Sequence, residues 1–202
     1  MAHTAESLQQ AFHYLFKDEI PALKRLAQSL PDNPVVVNLG AGAGTSGLAF
    51  MESRPDLRLI TIDIEDGDSP LGSLLSEKNM LKDAGLWNDR VTHKKGDSVK
   101  VGNYWLMAGT VHGLSSYDKV DMVFIDADHS YEGCKGDILA WLPNIKAGGI
   151  LAIHDYKKSK LTYDDNSPHP QDWPGVDKAV DELLLGKYEL VLKIESLIAF
   201  RV

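Results

Sequence analysis

Cysteine is nearly absent. Cys134 is the only one, so the chain can form no internal disulfide and no thiolate zinc site, and a reducing cytoplasm is its expected home. Long hydrophobic runs are missing too: nothing approaches the ~18–20 apolar residues of a membrane span. The opening MAHTAESLQQAFHYLF lacks the basic stretch and cleavage pattern of a secretory leader. No membrane partner is expected. Basic charge is scarce, with 21 Lys and Arg against 29 Asp and Glu, a formal net charge of −8. With no cluster of Lys and Arg there is no evident groove for a phosphate backbone, so nucleic acid is not an expected partner. Repeats, low-complexity tracts and Pro/Gly/Ser linkers are also lacking, and the 202 residues read as one domain, 1–202.

What is present is alternation. VVVNLG (35–40), LRLITID (57–63), RVTHKKGD (90–97), KVDMVFIDAD (119–128) and GGILAIHD (148–155) each read as a short strand ending in glycine or a polar residue. Helical stretches over 45–53, 71–85, part of 98–115 and 132–146 separate them. The first, fourth and fifth strands are almost continuously apolar, as parallel strands covered on both faces must be. Strand–helix alternation at this spacing predicts an α/β, Rossmann-like doubly wound sheet. Two helices, 4–18 and 21–30, precede it within segment 1–34. A polar segment, 156–175, follows the fifth strand and reads as a lid loop. Beyond helix 176–185, YELVLKIESLIAFRV holds two strands joined too tightly for a crossover, hence an antiparallel hairpin at one sheet edge. In such sheets ligands bind at the carboxyl ends of the strands.

The first strand–helix turn is NLGAGAGTSG, with Gly40, Gly42 and Gly44 on alternate positions. The dinucleotide fingerprint GxGxxG would need a glycine at position 45, which is Thr45, and no GxxxxGK[ST] phosphate loop occurs. Glycines here let the backbone turn sharply and approach a ligand without an intervening Cβ. Asp63 closes the second strand, 19 residues past Gly44. A carboxylate there can accept from both hydroxyls of a ribose. Loop plus acid is a nucleoside-binding constellation, and the GxGxG spacing indicates a nucleoside without pyrophosphate.

With these residues the chain resembles the class I S-adenosylmethionine-dependent methyltransferases. The similarity runs through VVVNLGAGAGTSG, LITID, HKKGDS, DMVFIDADHSYEG, IKAGGILAIHDY and the closing GVDKAVDELL…YELVLKIESLIAFRV. DADHSYEG followed by GGILAIHD resembles, more narrowly, the branch holding the macrocin-type O-methyltransferases and cephalosporin-cluster methyltransferase relatives. The resemblance implies a seven-stranded sheet of order 3-2-1-4-5-7-6 with an antiparallel last strand. It implies that Gly40, Ala41, Gly42 and Gly44 hold the methionine part of S-adenosylmethionine and that Asp63 holds the ribose. Ile64 would floor the adenine, Asp97 and Ser98 would sit at its edge, and Asp126 would border the cofactor. Asn38 stands where the family usually has an acid that reaches the methionine ammonium. The plain alternative for Asp97 and Ser98 is a polar turn in which Ser98 caps the next helix.

The second constellation is Asp126-Ala127-Asp128-His129 at the end of the fourth strand and His154-Asp155-Tyr156 at the end of the fifth. Neighbouring parallel strand ends lie ~5 Å apart, so these groups share one rim. Asp126 and Asp155 are hard oxygen ligands for a divalent ion that would acidify and orient a substrate hydroxyl. Asp128 or His129 is placed to take its proton. The resemblance implies a metal set of Asp126, His154 and Asp155. Histidine is a poor magnesium ligand, which leaves His154 either as the base itself or as the mark of manganese in place of Mg2+. Strand-end acids and histidines also occur as structural groups. The NPPY or DPPY sequence of amino-nitrogen methyltransferases is absent, which favours oxygen as the atom methylated. The expected reading is methylation of a small hydroxylated acceptor; rivals are a non-catalytic cofactor-binding module and a metal-dependent hydrolase. With about 34 residues before the first strand, a homodimer partner completing the pocket is a further expectation. Glu65, Asp66 and Asp68 read as a solvated turn, Cys134 and Trp141 as core, and Tyr104 and Trp105 as core packing, with a wall for the adenine or the acceptor as the alternative. His13 carries no catalytic implication, and Tyr163, His169 and Trp173 belong to the lid segment.

Overall fold

Seven strands form one sheet in the order β3-β2-β1-β4-β5-β7-β6, as the resemblance implies. The computed structural model describes residues 3–12, 15–70, 72–105, 119–157 and 173–202. The strands are β1 (Val35–Leu39), β2 (Arg58–Asp63), β3 (Val91–Lys95), β4 (Val120–Ile125), β5 (Ile145–Ile153), β6 (Glu189–Ile194) and β7 (Leu197–Arg201). The first five run parallel; β7 is antiparallel to β5 and forms the closing hairpin with β6.

Residue alternation assigns the two faces. Val36, Met122, Phe124 and Ala152 point into one core, covered by α1 (Ala5–Phe12), α2 (Glu19–Gln28), α3 (Thr45–Ser53) and α4 (Leu74–Asp83). Val37, Leu39, Val123, Ile125 and Ile153 point into the other, under α5 (Ser98–Tyr104), α6 (Tyr131–Trp141) and α7 (Pro174–Leu183). Every residue of β1 and β4 is therefore buried, which is why both strands read as nearly continuous apolar runs, broken only by Asn38 and Asp121. Strand β1 pairs with β2 on one side and β4 on the other. The chain winds away from β1 in opposite directions, and the crevice above this switch point is where the glycine turn sits.

Several boundaries differ from the sequence expectation for local reasons. Helix α6 ends at Trp141 instead of running to 146, because Pro143 cannot continue it; residues 142–144 tighten into a single 3-10 turn and β5 starts early, at Ile145. Helix α2 begins at Glu19, ahead of Pro21, whose missing N–H falls among the first-turn donors that have no helical acceptor. Asp97, not Ser98, caps α5 by accepting from the Lys100 amide at 3.0 Å. Tyr104 is 62% exposed, so the core packing expected of it is corrected, whereas Trp105 is buried with its ring 5.1 Å from that of Trp141. Cys134 and Trp141 are buried as expected, and Glu65, Asp66 and Asp68 are exposed. Of the lid expectation, Tyr163 and His169 lie outside the described residues, as does His13.

Trp141 fills the second core and donates its indole N–H to the Ser98 carbonyl at 3.1 Å, tying α6 to the start of α5. Trp141→Ala is expected to cost about 3–5 kcal/mol of unfolding free energy. Trp141→Phe should cost roughly 1–2 kcal/mol, for the lost hydrogen bond and some lost volume. Urea denaturation of both variants checks the ranking.

Candidate functional site

The glycine turn leaves β1 at Gly40, and Gly40, Gly42 and Gly44 all adopt positive φ, at 91°, 48° and 94°. At Gly40 the constraint is also steric, since a Cβ there would run into the Asp126 carbonyl. The Gly40 amide donates to the Ile62 carbonyl at 2.9 Å, which presses the loop against the end of β2. There Asp63 accepts from the Ala41 amide at 2.7 Å and the Glu65 amide at 2.8 Å, one bond to each oxygen. A carboxylate offers about four acceptor directions, so the side chain is held still and keeps capacity for two more donors.

Asn38 and Gly44 do not line the cavity above this loop. Asn38 is fully buried beneath it, donating to Glu77 Oε1 and accepting from the Ser46 hydroxyl, both at 3.3 Å. Glu77, from α4, is equally buried and pairs with His93 of β3. The acid that the resemblance expects at position 38 thus has a counterpart under the loop in the Glu77 carboxyl group. It fills the space beside Gly44 and Gly47, where a Cβ would collide with it.

Across the crevice, Asp97 and Ser98 begin α5. The Ser98 hydroxyl donates to Asp137 of α6, a buried carboxyl whose other oxygen has no hydrogen-bond partner. Burial pushes Asp137 up to about 6, with the charges of Asp97 and Asp128 adding to the shift against the Ser98 hydrogen bond. Ile64 is 64% exposed and faces the same space.

The rim is built where β4 and β5 end. Successive residues of a strand point to opposite faces, so His154 and Asp155 could not both face the rim if β5 continued. The strand stops at Ile153 and Asp155 takes a left-handed conformation, φ 63°, which turns both side chains toward Asp126. His154 Nδ1 lies 3.3 Å from Asp126 Oδ1 and 3.1 Å from Asp155 Oδ1. Its Nε2 lies 2.9 Å from Glu19 Oε2, a buried carboxylate from α2. His129 contributes from above, with Nε2 2.8 Å from Asp155 and 3.6 Å from Asp126, its ring stacked on Trp173 at 4.5 Å. Burial alone would lower His129, but its hydrogen bonds to Asp126 and Asp155 outweigh that and raise it to about 9. Burial disfavours charge at Asp126 and His154 as well. The mutual attraction of these groups, with Glu19 and Asp155, prevails, holding Asp126 below the usual carboxylate range and His154 well above that of an imidazole. Asp128 turns back to accept from the Ser130 amide at 2.8 Å and packs where only a glycine, Gly133, leaves room.

Ligand atoms of Asp126, His154 and Asp155 lie within 4.8 Å of one another. His154 Nδ1 is buried and makes no hydrogen bond of proper geometry despite its two close carboxylates. An orphaned nitrogen among acceptor oxygens fits a divalent cation. One cavity of about 840 Å3 joins the two constellations, lined by Gly40 to Gly42, Asp63, Ile64, Asp97 and Ser98 at one end and by Asp126, Asp128, His129, His154 and Asp155 at the other. Sequence reasoning missed Glu19, Glu77 and Asp137. All three are buried acids on helices, and nothing in their local patterns distinguishes them from solvated ones.

The model of a family described as "Methyltransferase domain" matches residues 37–156, more than half of the chain. An uncharacterised protein, R132, of Acanthamoeba polyphaga mimivirus is 26% identical over 170 residues, covering 82% of this chain and 68% of that one. Among solved structures, the O-methyltransferase TomG of Streptomyces achromogenes, involved in tomaymycin synthesis and bound to S-adenosylmethionine, superposes with a TM-score of 0.67 at 18% identity over 98% of this chain and 87% of that one. CalS11, a TDP-rhamnose 3'-O-methyltransferase of calicheamicin biosynthesis, gives 0.60 at 21% identity over 91% and 77%. At these identities the structural likeness is one of fold.

The position of Asp137 has a signed consequence. Its folded value of about 6 lies above the ordinary 3.8, so the folded state binds the extra proton and loses stability as pH rises from about 4 to 6. Asp137→Asn should remove that slope. Urea midpoints should show the variant gaining on the parent by on the order of 1–3 kcal/mol between pH 4 and pH 7.

Proposed function

The chain belongs to the methyltransferase-domain family, and from that membership we propose that it is an S-adenosylmethionine-dependent O-methyltransferase of small hydroxylated molecules, assisted by a divalent ion. The observation that carries this reading is the single cavity running from the glycine turn and Asp63 to the Asp126–His154–Asp155 rim. It has room for a nucleoside at one end and an acceptor at the other, with the transferred methyl between them. Asp63, already fixed by two amides, would accept from the ribose hydroxyls; Ile64 would offer the purine an apolar face, with Asp97 and Ser98 at its edge.

At the rim Asp126, His154 and Asp155 would hold the ion, whose contribution is to lower the pKa of the acceptor hydroxyl and fix its oxygen. The residues do the rest. Holding oxygen and sulfonium methyl in line is worth up to ~7–11 kcal/mol of barrier. The methyl would pass from sulfur to oxygen with the S–CH3 bond pair staying on sulfur, and the hydroxyl proton would leave to a base. His129 is that base in this reading. Its ring borders the cavity, but a value of about 9 means that it is protonated at neutral pH while Asp126 and Asp155 serve it alone. A divalent ion held by those carboxylates would compete with the proton on His129, so base function would depend on metal loading. Asp128 is the weaker choice, committed as it is to the Ser130 amide. Oxygen as the acceptor atom is supported by the DADH sequence at the end of β4, and the named activities of TomG and CalS11 agree with it.

Calorimetric titration with S-adenosylhomocysteine tests the reading directly. Micromolar binding is expected with or without chelator, and absence of binding would overturn the proposal. Asp63→Ala should weaken binding by about 10–100-fold, the loss of charged-acceptor bonds worth ~1.5–3 kcal/mol. Asp155→Ala should leave that affinity within about threefold while cutting turnover on a panel of sugars and phenols by roughly a hundredfold or more, the scale of a lost positioning group.

A further inference from the structure

We propose that Glu19 is a positioning residue for a metal-ligating His154, and that the Glu19–His154 pair makes the rim a site for a first-row transition cation such as Mn2+ in preference to Mg2+. The proposal rests on the metal reading above and extends it to a residue 135 positions away in the chain.

Glu19 is completely buried, at the first turn of α2. Its Oε1 accepts from the Ser196 amide at 2.8 Å and the Ser196 hydroxyl at 2.7 Å, both in the β6–β7 turn. Its Oε2 accepts from the Phe16 amide at 2.7 Å and faces His154 Nε2 at 2.9 Å. A carboxylate has only lone pairs to offer, so Nε2 must be the protonated nitrogen. In the neutral imidazole this leaves Nδ1 bare. The ring is 2% exposed and packs beside Phe124, with centroids 6.3 Å apart, so it has no room to turn over.

The Nδ1 lone pair then points between Asp126 and Asp155. Its separations of 3.3 and 3.1 Å lie close to the ~3.0 Å edge between adjacent ligands that each sit about 2.1–2.2 Å from one octahedral ion. Nδ1 is buried with no hydrogen-bond partner of proper geometry, and one ligand atom from each of the three residues lies within 4.8 Å of the others, which agrees with a shared cation. Mg2+ takes oxygen almost exclusively, whereas imidazole suits the first-row transition ions. A carboxylate behind a ligating histidine fixes ring orientation and raises basicity, and losing it typically costs 10–100-fold in metal affinity.

The alternative is that His154 is a structural imidazolium tying three acids together with no ion. Titration of the full chain with MnCl2 and, separately, MgCl2, by calorimetry and electron paramagnetic resonance, separates the two. The parent should bind Mn2+ at least tenfold more tightly than Mg2+, and the pulsed spectrum of bound Mn2+ should carry nitrogen coupling from an imidazole. E19Q should bind Mn2+ about 10–100-fold more weakly, with S-adenosylhomocysteine affinity within threefold. No Mn2+ binding by the parent would overturn the metal reading and this proposal together. Mn2+ binding equal in parent and E19Q would overturn the role of Glu19 alone. Should E19Q fail to fold by circular dichroism, the parent's spectrum decides, because bound Mn2+ without nitrogen coupling overturns the arrangement.

Discussion

Burying like charges together is the constraint around which this molecule is arranged. Glu19, Asp126 and Asp155 converge on one imidazole that is itself almost inaccessible to water. Leaving a buried carboxylate without its partner costs about 3–5 kcal/mol, a large share of a domain's net stability, so each is satisfied by a neighbour whose position the fold guarantees. The neighbours come from everywhere. Glu19 rides on α2, His154 and Asp155 on the end of a central strand, Ser196 on the terminal hairpin turn, and His129 on the loop after β4. Such a cluster can form only when the sheet, both helical layers and the closing hairpin are in place. That makes the rim a report on the whole fold instead of a local motif.

The two ends of the cavity solve different problems by different means. The nucleoside end is made mostly of backbone: three left-handed glycines, a loop held down by the Ile62 carbonyl, and an acid clamped by two amides. Backbone geometry carries little conformational freedom to lose on binding, and its requirements are written in the sequence as glycine spacing. The rim is made of side chains whose positions depend on distant packing. Glu77 and Asn38 show a third device. They place a carboxyl group beneath the loop, without touching the cavity, by a route through α4.

That division explains what could be read from the sequence. Strand alternation announced the doubly wound sheet because parallel strands must be apolar on both faces, and the tight 188–202 connection announced the hairpin. The glycine turn, Asp63, Asp126, His129, His154 and Asp155 were legible because they fall at strand ends, where the fold class itself points. Glu19 and Asp137 were not, since a buried acid on a helix looks like a solvated one until its tertiary partner is known. Glu77 is the same case: the departure at Asn38 was visible, but its counterpart on α4 was not. Tyr104 erred in the other direction. It sits next to Trp105 with similar chemistry, and a short helix of seven residues gives too little periodicity to tell which of the two faces inward.

The histidine at position 154 then has a simple electrostatic meaning. Replacing an anionic ligand by neutral imidazole would leave a divalent ion with less compensating charge, and Glu19 restores it from one bond further out through the Nε2 hydrogen bond. The ion would face the same total charge with a nitrogen in place of an oxygen. Under the proposed arrangement affinity for hard magnesium would fall, affinity for a transition ion would rise, and the strength of the site would depend on the seating of α2. Helix α2 would then belong to the metal site through Glu19, although none of its residues lines the cavity.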